Sequence, residues 1–64
     1  MQILLRGGTA DGVVHDVAEP LPGEIVVDLD AVAPGASGTA RDRLESGYVS
    51  PPQYALVVEA GAEP

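Results

Sequence analysis

Sixty-four residues make one small domain, and a chain of this size buries only about 60% of the surface its unfolded form exposes. With no cysteine, disulfides and thiolate metal ligands are excluded, and the single histidine, His15, builds no zinc site without several converging carboxylates. Ten acids against three arginines give a net charge of -7, which repels nucleic acid and anionic membrane surfaces.

These features point to association with a protein partner or with copies of the same chain as the source of added stability. No direct nucleic-acid partner, membrane contact, metal or cofactor is expected. The apolar run Ile3-Leu4-Leu5 is too short for a signal peptide, and no cationic segment precedes it. No stretch approaches the roughly 18 apolar residues of a transmembrane helix. A cytoplasmically made chain is the expectation. The absence of lysine, beside abundant Ala, Val, Gly, Asp and Arg, matches the coding bias of a GC-rich genome.

Short β-branched clusters separated by glycine and proline predict strands joined by turns, and six prolines and eight glycines leave no window for a long helix. Gln2 to Arg6 reads as the first strand, with Ile3 and Leu5 on one face. Gly7, Gly8, Asp11 and Gly12 supply turn chemistry, because glycine reaches positive φ and Asp-Gly favours hairpins. Val13 to Val17 is the return strand, with Val13, His15 and Val17 sharing a face. Residues 18–23 carry Pro20, Pro22 and Gly23 and read as a loop.

Glu24 to Leu29 is the third strand, with Ile25, Val27 and Leu29 on its apolar face. Residues 30–38 are small, proline-containing and expected to be flexible. Thr39 to Ser46 reads two ways. As a helix it would bury only Ala40 and Leu44 over two turns; as a strand, Thr39, Arg41 and Arg43 alternate with Ala40, Asp42 and Leu44. The balance favours the strand. Residues 48–52 form a turn. Gln53 to Glu59 is the last strand, with Tyr54, Leu56 and Val58 on one face and Ala55 and Val57 on the other. Residues 60–64 are expected to fray. The predicted fold is mainly β: one small antiparallel sheet or partial barrel of four to five strands, opening with a hairpin.

None of the chemistry-bearing residues forms a convincing catalytic set. The glycines after the first strand lack the helix N-terminus and the Gly-Lys-Ser/Thr sequence of a phosphate loop, so they read as a turn. His15 and Asp16 are strand neighbours that point to opposite faces, so they make no relay. Ser37, Ser46 and Ser50 have no base nearby in sequence. Glu24, Asp28 and Asp30 lack calcium-loop spacing and read as a solvated acidic face. No enzymatic activity is expected. The candidate partner contacts are Arg41, Arg43, Tyr48 and Tyr54, with pairing of the arginines to nearby acids as the competing reading.

The opening Ile3-Leu4-Leu5-Arg6-Gly7-Gly8-Thr9-Ala10-Asp11-Gly12, followed by Val13 to Val17, resembles a largely uncharacterised group of short bacteriophage and actinobacterial proteins. Those proteins place Arg-Gly-Gly-Pro-Ala-Asp-Gly between two strands and often end in a tyrosine-containing strand, which Gln53 to Val58 resembles loosely. The match covers the first quarter of the chain, and Thr9 stands where the group usually has proline. The resemblance implies a tailed-phage setting. The expectation that follows is a structural accessory, a minor capsid or decoration component located in the virion. Its partners would be capsid or other virion proteins, or copies of itself. The alternative is a non-structural binding module that engages a host protein through its acidic surface.

Overall fold

The computed structural model describes residues 1–61. Five strands form one curled sheet: β1 (Gln2–Arg6), β2 (Val14–Asp16), β3 (Glu24–Asp28), β4 (Thr39–Ser46) and β5 (Gln53–Ala60). A single helical turn, α1 (Leu29–Val32), lies between β3 and β4. The spatial order is β2-β1-β5-β4-β3, so the sheet is a half-barrel with β2 and β3 at its edges. The domain is mainly β, as the clustering of β-branched residues predicts.

Consecutive partners run antiparallel in β1–β2, β3–β4 and β4–β5. The sheet is nonetheless mixed, because β1 lies parallel to β5, with Leu4 opposite Gln53 and Arg6 opposite Ala55. An antiparallel sheet throughout was the expectation from short turns. Turns govern only neighbouring strands, whereas this pairing joins the first strand to the last across a long connection.

The hairpin of β1 and β2 forms as predicted, around Gly7, Gly8 and Gly12, all at positive φ. The Gly7 amide donates to Asp11 Oδ1 at 2.7 Å, so the aspartate closes the turn with its side chain. Ala10, at the turn's centre, is buried with Ile3 and Leu5. The return strand is shorter than Val13 to Val17, although Val13, His15 and Val17 do share the more buried face.

The third strand stops at Asp28 rather than Leu29. Leu29 keeps its inward direction and is buried, but its amide bonds to the Gly38 carbonyl and its own carbonyl accepts from Ala33 at 2.7 Å. Those bonds begin a helical turn, so the connection over residues 30–38 opens with α1. Residues 39–46 form a strand, since both flanks find sheet partners: Ala40 lies opposite Val27 on one side and Glu59 on the other.

Between Arg41 and Asp42 the register against β5 slips: Arg41 faces Val58 while Asp42 faces Leu56, leaving Val57 as an extra residue. This β-bulge changes the phase of the strand. Before it, Tyr54 and Leu56 point inward; after it, Val58 turns outward and Glu59 turns in. The prediction that Val58 shares a face with Tyr54 and Leu56 is therefore overturned. β5 also runs on through Ala60, where fraying was expected; residues 62–64, the rest of that expectation, lie outside the described residues.

The core is Ile3, Leu5, Ala10, Val27, Leu29, Ala40 and Tyr54, with Leu21, Ile25, Leu44 and Leu56 among those packed around it. The connection between β2 and β3 faces this core: the Tyr54 hydroxyl donates to the Pro22 carbonyl. One aromatic ring thus links β5 to the β2–β3 connection. Among the described residues, no helix is long and apolar enough to cross a membrane.

Candidate interaction surfaces

Three regions collect the polar and exposed apolar groups. The first lies where the glycine-rich turn meets the end of β5. Thr9 donates its amide to Glu59 Oε2 at 2.6 Å and its hydroxyl to Glu59 Oε1 at 2.9 Å. Gly8 packs so closely that a Cβ there would collide with Glu59 Oε2 and the Leu56 side chain. On the adjacent strand Asp42 is 2% exposed, and its carboxyl is pushed above the usual carboxylate range by desolvation and, secondarily, by the Glu59 charge. This acid pair was not foreseen from the sequence. Its signal is weak, because β4 alternation already places Asp42 inward between Ala40 and Leu44, and only the bulge brings Glu59 to the same side.

The second region is the convex face. Arg6, Ala55, Arg43 and Glu24 occupy one row across β1, β5, β4 and β3, and the Val58–Arg41–Val26 row lies beside it. All three arginines of the chain therefore occupy this face. Glu24 sits 3.6 Å from Arg41 Nε and 3.4 Å from Arg43 Nη2, while Arg6 donates to Gln53 Oε1 at 3.0 Å. Intramolecular pairing, the competing reading for Arg41 and Arg43, is thus present, in exposed pairs of small energetic weight. Val26, Val57 and Val58 are exposed around them.

The third region is the end of the half-barrel where β1 and β5 begin and β4 ends. A groove of about 720 Å³ opens there, lined by Met1, Val14, Leu21, Val49, Pro51 and Pro52 together with Gln2, Gly47 and Ser50. Tyr48, between two of these lining residues, is fully exposed. The Met1 ammonium contacts Asp16 Oδ1 at 3.1 Å and the Val17 carbonyl at 2.8 Å.

The sequence-based candidates separate accordingly. Gly7, Gly8, Asp11 and Gly12 form the hairpin turn, and Arg41, Arg43 and Tyr48 are on the surface. Tyr54 is a correction: it is 0% exposed and belongs to the core, so it touches no partner of the folded chain. In the sequence Tyr54 belongs to a strand and Tyr48 to a turn, and only packing shows which of them a partner can reach. Asp28 and Asp30 line a shallow depression near Ser37 and Ala60, and Glu24 is held by the arginines. Among the described residues no three His, Cys, Asp or Glu side chains converge as a metal site would require.

No protein-family model, curated protein or solved structure is significantly similar to this chain.

Proposed function

We propose that this chain is a phage structural accessory, a small binding domain attached to the virion as a minor capsid or decoration component. One observation carries the binding role. Seven large apolar side chains are exposed among the described residues, four of them on the strands of a sheet whose two edge strands have no further neighbour. Solitary exposed apolar residues are ordinary, but grouped ones mark contact surfaces. Free strand edges accept an added strand. The virion setting rests on the resemblance of residues 3–17 to short phage proteins.

Mass spectrometry of purified particles from the source phage tests the reading. Detection at a fixed stoichiometry to the major capsid protein supports it, and absence from intact particles ends it.

A second reading is favoured by the charge distribution. The arginines are gathered on one face and partly neutralised, which leaves an acidic remainder suited to a basic host protein. A single basic protein retained from host lysate, and lost at raised salt, would select this reading.

A further inference from the structure

We infer that the groove at the β1/β5 end and the adjoining β2 edge form one docking site for an extended segment of a partner protein, apolar and flanked by lysine or arginine. This rests on the binding role proposed above and specifies the chemistry of the partner.

The backbone supplies the edge. The Leu5 amide bonds to the Val13 carbonyl, and the Val17 amide bonds to the Met1 carbonyl. The Val13 carbonyl and the Val17 amide therefore point at β1, with His15 paired to Ile3 between them, and the backbone groups of Val14 and Asp16 point away from the sheet. An incoming strand finds these groups ready to pair.

The side chains supply the selectivity. Val14 is 52% exposed and stands on the same side of β2 as Asp16, two residues on. A strand laid along this edge thus meets an apolar neighbour and an acidic one at alternate positions. Next to them the groove adds Met1 and Val49, both exposed, and the half-buried Leu21. Four of the seven exposed large apolar side chains, Met1, Val14, Tyr48 and Val49, belong to this end of the molecule.

Charge selects the occupant. Asp16 lies opposite Gln2, which lines the groove, and its side chain is 83% exposed. No arginine is among the residues that line the groove, and Arg6, whose guanidinium reaches the start of β5, is engaged there by Gln53 Oε1. Among the described residues that line the groove the Met1 ammonium is the one cation, and Asp16 and the Val17 carbonyl already engage it. A second copy would bring a net charge of -7 against an equally acidic domain with Asp16 on this edge, so a basic segment is the complementary guest.

The test is an amide-resolved NMR titration of the full chain with three blocked eight-residue peptides: alternating valine–lysine, alternating valine–glutamate and alternating serine–lysine. The expected result is shifts at Gln2, Val14, His15, Asp16 and Val49 with valine–lysine, and binding weaker by about tenfold or more for the other two. Val14→Asp should remove the response, and Asp16→Lys should turn the preference toward valine–glutamate. Equal response to the valine–lysine and valine–glutamate peptides, no response at millimolar peptide, or shifts confined to the convex face would overturn the inference. So would a peptide-free dimer dissolved by Val14→Asp, which makes a second copy the occupant. Presence in virions with a flat titration would leave the accessory role standing and remove only this site. A localised titration with absence from virions would do the reverse.

Discussion

Glu59 holds Thr9 through both oxygens of its carboxylate, receiving the threonine amide at 2.6 Å and the hydroxyl at 2.9 Å across fifty residues of sequence. The contact ties the hairpin turn after β1 to the last turn of pleat in β5, beside the buried Asp42. Replacing Glu59 by glutamine keeps the shape but removes the charge and leaves one accepting oxygen where there were two. The expected loss is about 1 kcal/mol, since the site is partly solvated, and urea unfolding at neutral pH measures it.

Asp42 sets a pH dependence of opposite sign to that of an ion-paired carboxylate. Its folded pKa is raised from the usual value near 3.8, so the folded chain retains this proton after the unfolded chain has released it. Stability contributed by the group is therefore greatest at low pH and declines as pH rises through the raised value. Asp42→Asn should flatten that decline and leave the variant more stable than the parent at neutral pH. Thermal midpoints of both proteins between pH 3.5 and 7 check it; parallel curves would refute it.

Gly8 and Gly12 separate two costs of the turn. Both have positive φ, but a Cβ at Gly12 meets nothing within 4 Å, whereas one at Gly8 meets Glu59 and Leu56. Gly12→Ala should cost about 1 kcal/mol, the conformational penalty alone. Gly8→Ala should cost about 1 kcal/mol more, because Glu59 Oε2 and the end of the Leu56 side chain must swing aside and the Thr9–Glu59 contact is disturbed. Chemical denaturation of the two variants gives the difference.

Tyr54→Phe leaves the ring in the core and strands the Pro22 carbonyl. A loss of about 0.5–1.5 kcal/mol follows from the missing hydrogen bond. Burial also raises the Tyr54 pKa above its usual 10.0, so the parent should lose stability as pH climbs from the unfolded value through the raised one. The phenylalanine variant should lack that alkaline component, which unfolding curves between pH 8 and 11 will reveal.

The sequence by itself determined the strand inventory. Alternation of Ile3 with Leu5 and of Ile25 with Val27, broken by glycine and proline, is a local property of side-chain spacing, and local spacing is what a strand expresses. The same holds for the hairpin turn, where Gly7, Gly8 and Gly12 provide the positive φ that the backbone requires. The inward Asp42 was implicit in β4 alternation once that segment was read as a strand.

The tertiary structure alone decided three things. The parallel pairing of β1 with β5 joins segments about fifty residues apart, and no local pattern encodes the direction of so distant a neighbour. The bulge at Val57 belongs to the pairing of β5 with β4, and it sent Val58 outward and Glu59 inward against simple alternation. Packing separated the two tyrosines: Tyr54 fills the half-barrel and bonds to Pro22, while Tyr48 stands in solvent beside the groove. Burial and long-range register depend on the whole sheet, and for that reason the surfaces offered to a partner became visible only in the folded chain.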